Sequence, residues 1–274
     1  MVDAWTPPGK VAAFFDVDRT VVRGSSMLAL AGALRRAGLV SRRASITALV
    51  RGLQFSARGY SEEEVRQAVR AMGEVVRGMD AAALSRVAGE AIPSALAPRV
   101  YGEAQRLMEW HRHRGHLVFL VSASTHELIA KLGDILGADG VVASDAEIVD
   151  GRYTGRVALC HGIPKAEAVR HLAESHGIDL GHSYAYGDGI GDLPMLSLVG
   201  HPTAVNPDRR LRRAARRRGW HELHFRRRGG WVRLASPRRR PAAGPASLDD
   251  PGTSTRVETA VPNPQPGERY PSGS

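Results

Sequence analysis

VAAFFDVDRT, Val11 to Thr20, is the stretch whose reading decides the fold. Its first five residues are apolar without interruption, which is the pattern of a parallel strand buried on both faces. Two carboxylates follow, Asp16 and Asp18. Side chains repeat every second residue in an extended segment, so both acids leave the strand end on the same side. Unpaired acids that close either raise one pKa or require a cation, and Mg²⁺ with oxygen ligands meets that need without protonation. An Asp after a strand is also an ordinary turn or N-cap residue, so the pair by itself leaves both readings open.

Beyond Thr20 the pattern turns helical. Ser25 and Ser26 suit the N-cap of MLALAGALRRAGL, and segments rich in Ala, Leu, Arg and Glu run to about Ile92. Within them SEEEVRQAVRAMGEVV opens with Ser61 three residues before Glu64, a capping-box spacing, and Val65, Val69, Met72 and Val76 share one helical face. Asp80 opens another helix, and Pro93 and Pro98 mark the exit. Residues 25–96 are therefore expected to form a separate helical module inserted into an α/β core made of residues 10–24 and 97–225.

Strand and helix alternate from Pro98 onward. HLVFLVSAS, GVVAS, SYAY, PTAVN and WHELHF read as strands. RVYGEAQRLMEWHRHRG, HELIAKLGDIL, GIPKAEAVRHLAESHG and PDRRLRRAARRRG read as helices, the third with Pro164 in its first turn and the last ended by Gly219. EIVDG and RYTGRV flank a hairpin turn at Asp150 and Gly151. This order implies a doubly wound, Rossmann-like parallel sheet. His111, His113 and His116 invite a zinc reading, but His111 and His113 are two apart on a helix and do not converge; histidines at a helix C-terminus are expected to be solvated.

The chain has 274 residues, 43% of them hydrophobic, and a single cysteine, Cys160. That excludes a disulfide framework, suits a reducing cytosol, and leaves Cys160 as packing. No basic-then-apolar leader and no membrane-length apolar run are visible, so a cytoplasmic protein is the expectation. The net charge of +10 is local: Arg209 to Arg240 hold fourteen arginines against Glu222, a balance of +13 that leaves the remainder at −3. Leu211, Ala214 and Ala215 give the arginine-rich helix an apolar stripe, so a solvated surface helix is favoured over a functional basic patch. Binding of a nucleic acid or acidic partner through this region is the alternative from another class, though few aromatics interleave the arginines. Residues 226–274 read as a basic segment, then a Pro/Gly/Ser-rich tail expected to be disordered.

In open α/β sheets ligands bind outside the carboxyl ends of the strands. VAAFF ends in Asp16 and Asp18, VFLV ends in Ser122, SYAY leads to GDGIGD with Asp188 and Asp192, and Lys165 opens a helix between them. Each has a plain reading: Ser122 as an N-cap, Lys165 on the surface, Asp188 and Asp192 fixing a turn. Together they supply what phosphoryl transfer requires, namely a nucleophile, charge neutralisation and fixed donors to phosphate oxygens.

DVDRT, Ser122 in LVSAS, Lys165 in GIPKAEAV and GDGIGD resemble the four motifs of the haloacid dehalogenase superfamily, in the branch that contains phosphoserine phosphatases. The resemblance covers about residues 10–225, the helical insertion is similar to that branch's cap, and VDGRYTGRV also looks like it. It implies that Asp16 is a nucleophile forming an aspartyl phosphate and Asp18 a general acid and base. It implies a Mg²⁺ ion held by Asp16, the backbone carbonyl of Asp18 and Asp188, with Asp192 supporting it. Ser122 and Lys165 would hold the phosphate, with Thr20 beside them bracing the first loop. The presence of Asp18 argues against dehalogenase chemistry. The expected function is Mg²⁺-dependent hydrolysis of a small organic phosphate ester, with neither membrane nor nucleic acid as partner.

Three departures bear on substrate. Phosphoserine phosphatases carry a glutamate nine residues beyond the nucleophile, where this chain has Ser25, which cannot offer a carboxylate to an ammonium; a cap acid such as Glu62 is the substitute. They often carry Asn where this chain has Gly191. Arg19 occupies a position that varies widely. Phosphoserine phosphatase itself is therefore the second reading rather than the first, and a phosphotransferase would use the same residues.

Overall fold

A computed structural model describes residues 9–36, 38, 70, 73, 74 and 76–226. The described residues all lie within Met1–Trp231; the tail from Val232 to Ser274, the Ser61–Glu64 capping box and Glu62 lie outside them.

Among the described residues there are seven strands: β1 (Ala12–Asp16), β2 (Leu117–Thr125), β3 (Gly140–Val149), β4 (Arg152–Ala158), β5 (Tyr184–Gly187), β6 (His201–Val205) and β7 (His221–Leu223). They form one sheet in the order β4-β3-β2-β1-β5-β6-β7. All neighbours are parallel except β3 and β4. The helices are α1 (Ser26–Arg36), α2 (Ala81–Ala95), α3 (Gly102–His113), α4 (His126–Leu136), α5 (Ile163–His176), the short α6 (Leu193–Leu196) and α7 (Arg209–Arg218).

The uninterrupted VAAFF run has its reason in the sheet's two covered faces. Ala12 and Phe14 of β1 pack with Phe119, Ala185 and Ala204 beneath Val169 and Ala173 of α5, Leu196 of α6 and Leu211 of α7. Phe15 faces the other way and stacks on Tyr186 at 4.5 Å, with His111 of α3 edge-on at 6.0 Å. Each fully buried aromatic of this kind stabilises the fold by about 1.5–3 kcal/mol relative to exposure. Helices cover both faces, as a doubly wound sheet requires.

Two expectations change. GVVAS and EIVDG are halves of a single strand: β3 pairs in parallel with β2 from Gly140 and then, from Asp145, antiparallel with β4. The second correction concerns the helix-end histidines. His111 is fully buried, its Nε2 2.8 Å from the Tyr186 hydroxyl and its Nδ1 2.9 Å from Nδ1 of His116. The sheet brings Phe15, Tyr184 and Tyr186 against His111, and a ring nitrogen there finds a buried phenol instead of water. On α7, Leu211, Ala214 and Ala215 enter the core while Arg209, Arg213, Arg216, Arg217 and Arg218 are exposed. No helix among the described residues is long and apolar enough to cross a membrane.

Candidate active site

β1 lies between β2 and β5, so the chain leaves it in opposite directions and a crevice opens at the carboxyl ends, where such sheets bind ligands. Asp16 is the last residue of β1, and Asp188 follows directly after β5. Ser122 lies within β2, and Lys165 is in the first turn of α5. Four separate segments thereby meet at one end of the sheet.

The centre is a lysine between two acids. Lys165 Nζ donates to Asp16 Oδ1 at 2.5 Å and to Asp192 Oδ1 at 2.6 Å, and all three side chains are buried. Burial disfavours the lysine's charge, yet the two carboxylates outweigh it and raise its pKa. The acids divide. Burial and the charge of Asp192 push Asp16 up to about 7 despite Lys165. Burial, Asp16 and Asp192 raise Asp188 well above its ordinary value, with Arg19 opposing. Burial acts on Asp192 too, but Lys165 and the Gly189 amide bring it below its ordinary value.

Asp16, Asp188 and Asp192 each offer a carboxylate oxygen, and these oxygens lie within 4.8 Å of one another. Three buried acids that repel each other at that range fit a hard divalent cation with oxygen ligands. Asp192 is already engaged by Lys165 and by the amides of Asp188 and Gly189, both at 3.1 Å, which suits a supporting place in the cluster. The Asp18 carboxylate is not in this group. It accepts from Ser26 N at 2.9 Å, at the start of α1, and burial raises its pKa while Ser26 and Ser25 oppose the rise.

That contact opens a chain of hydroxyls the sequence did not reveal. Ser26 Oγ is 2.5 Å from Ser124 Oγ, and Ser124 N donates to Ser122 Oγ at 3.1 Å. Asp18 and Ser122, about a hundred residues apart in the chain, are thus linked through two serines. Ser122 is a strand residue and not the N-cap of α4; that place belongs to Thr125. Ser25 Oγ accepts from Leu28 N at 3.4 Å. Thr20 is buried, and its hydroxyl has no hydrogen-bond partner among the described residues.

Arg19 Nε pairs with Asp188 Oδ2 at 2.6 Å, and its backbone is left-handed at φ 63°. The loop around this strained residue is braced by Asn206, whose Nδ2 donates to the Arg19 carbonyl at 3.4 Å and whose Oδ1 accepts from Phe225 N. Asp208, the N-cap of α7, accepts from Ile190 N at 3.0 Å and Leu211 N at 2.7 Å, and its own amide donates to the Asp188 carbonyl at 2.8 Å. It ties the GDGIGD loop to α7. The usable signal for Asn206 and Asp208 was their place just past the apolar end of a strand.

Residues 13–197 match the family described as haloacid dehalogenase-like hydrolase. The chain is 40% identical over 220 residues to the inhibition of morphological differentiation protein of Streptomyces azureus, covering 80% of this chain and 79% of that one. It is 37% identical over 218 residues to a phosphoserine phosphatase of Mycobacterium tuberculosis, covering 78% of this chain and 71% of the relative. A solved structure of a phospho-aspartyl intermediate analogue of phosphoserine phosphatase has the same fold, with a TM-score of 0.56 at 19% identity over 80% of this chain and 95% of that one. With the motifs, the sheet and the buried acids in agreement, the chain belongs to the haloacid dehalogenase-like hydrolase family.

Proposed function

We propose that this enzyme hydrolyses a small organic phosphomonoester through a covalent phosphate on Asp16. The observation that carries the reading is the buried Asp16–Lys165–Asp192 arrangement, with Asp188 beside it. Asp16 attacks phosphorus as the Asp16–phosphate bond forms and the ester bond breaks. Asp18 protonates the departing alkoxide and then takes a proton from the water that cleaves the intermediate. Its raised pKa, caused first by burial, suits a carboxyl that alternates between acid and base. Ser122 and Lys165 hold the phosphate oxygens, and the lysine offsets the anionic charge gathered there.

Mg²⁺ is the cofactor that fits the acids; when bound by Asp16, the Asp18 carbonyl and Asp188, with Asp192 in support, it supplies charge neutralisation. The hydroxyl of Ser25, capping α1, offers an ammonium no carboxylate. This favours an ester without a free amine next to the phosphate over phosphoserine itself, the substrate named for the mycobacterial relative.

A panel of phosphate esters, including phosphoserine and an aryl phosphate, tests the proposal with Mg²⁺ and with EDTA. Asp16→Asn is expected to abolish hydrolysis, a loss on the order of a thousandfold or more, with the fold intact. Full activity in that variant or in EDTA overturns the mechanism, and a clear preference for phosphoserine overturns the reading of Ser25.

A further inference from the structure

Gly191 is a glycine for a reason its backbone does not supply. It lies in the single turn Ile190–Asp192 and is absent from the positive-φ glycines, so an L side chain suits its conformation. What excludes a side chain is His161. A Cβ built on Gly191 overlaps His161 Cε1 and falls 2.6 Å from its Nε2, closer than such atoms approach. The ring therefore fills the space that a side chain at position 191 would take. His161 comes from a different segment, the loop that enters α5, and stands four residues before Lys165. Its ring lies against Gly191 of the last loop, and the charges of Lys165 and Asp192 both act on it.

We infer that His161 is a positioning and specificity residue of the phosphate pocket: its imidazole occupies the room left by Gly191 and directs an N–H toward the anionic oxygens beside Lys165. This rests on the phosphatase reading above. The pair has a simple logic. The polar group over the GDGIGD loop comes from the α5 loop, and position 191 carries no side chain. His161 and Gly191 are then one device, and the value of each depends on the other.

The dependence is testable as a double-mutant cycle. The probes are inorganic phosphate, as a competitive inhibitor, and an aryl phosphate, with KM and kcat determined separately and Tm recorded for each variant. His161→Ala is expected to weaken phosphate inhibition and raise KM by about tenfold, the size of a lost hydrogen bond to a charged group. The effect on kcat and Tm is expected to be smaller, and His161→Gln should recover part of the affinity. Gly191→Asn should be harmful while His161 is present, because the two side chains collide, and beneficial in the His161→Ala background, where the amide takes the vacated place. Should His161→Ala fail to fold, Gly191→Ala serves instead, since its methyl alone displaces the ring and should raise KM. Phosphate inhibition within twofold of the parent in His161→Ala, or a Gly191→Asn effect of the same sign in both backgrounds, overturns the inference. Loss of Tm and kcat with phosphate affinity unchanged also overturns it, by showing a merely structural ring. Failure of the phosphatase reading would look different: Asp16→Asn would then keep its activity.

Discussion

The two ends of the sheet both bury titratable groups, and they treat them in opposite ways. At the carboxyl end Asp16, Asp188 and Asp192 crowd around Lys165, and burial with mutual repulsion pushes Asp16 up to about 7. At the amino end His111 and His116 lie against Tyr184 and Tyr186, with His201 stacked on Tyr184 at 4.5 Å. Burial holds His111 down to about 2 and His116 to about 4. One end concentrates charge that a ligand can relieve. The other suppresses charge and uses its polar atoms to fix aromatic rings. Burial of ionisable groups is thus no mark of a site; acids left in mutual repulsion around a cation are.

The largest effect that sharpens this contrast is expected from Lys165→Met. It leaves Asp16 and Asp192 facing each other without their common partner, and breaking a buried pair of this kind costs about 3–5 kcal/mol. Thermal unfolding should show the loss without added metal, and Mg²⁺ should restore part of it. A Tm equal to the parent's would show that the lysine does not hold the acids together.

Acid probes the other end. The unfolded chain protonates His111 and His116 near the ordinary value of 6.5, while the folded protein keeps them neutral to far lower pH. Between those values the unfolded state binds more protons, so their contribution is fully present above about 6.5 and is lost as pH falls toward about 4 for His116 and about 2 for His111. His111→Gln, which keeps a polar group near Tyr186 without titrating, should flatten that decline in Tm. An unchanged decline would place the acid sensitivity elsewhere. The smallest effect is expected on the exposed side of α7, where Arg213→Gln should leave Tm within about two degrees and hydrolysis unchanged. A larger fall in Tm would mean that this surface arginine has a structural partner.

Much of the carboxyl end was legible in the sequence, because Asp16, Ser122 and Asp188 follow or end apolar strand runs and Lys165 follows Pro164 at a helix start. Strand polarity alone directs such residues to one end of a parallel sheet. Ser26 and Ser124 were not legible as a link between Asp18 and Ser122, since each is equally good as a helix cap and only their 2.5 Å contact decides between the roles. His161 was hidden because its place over the last loop depends on a glycine thirty residues away. His111 misled because a histidine at a helix end is usually wet, and nothing local announces that Tyr186 will cover it. β3 was split in two because its pairing partner changes midway, while the sequence shows only two short apolar runs.

That change of partner has a mechanical result. The second half of β3 carries the β4 hairpin, and the hairpin meets the segment that leads into α2: Gly78 N donates to the Tyr153 carbonyl at 2.8 Å, Tyr153 N to the Met79 carbonyl at 3.1 Å and Ala81 N to the Gly151 carbonyl at 2.9 Å. Tyr153 also donates through its hydroxyl to Glu127, in the first turn of α4. A segment joined to a sheet only by its two covalent connections can swing on them like a door. Here residues 78–81 have a third moor, and it is fastened to the helix that begins four residues after Ser122.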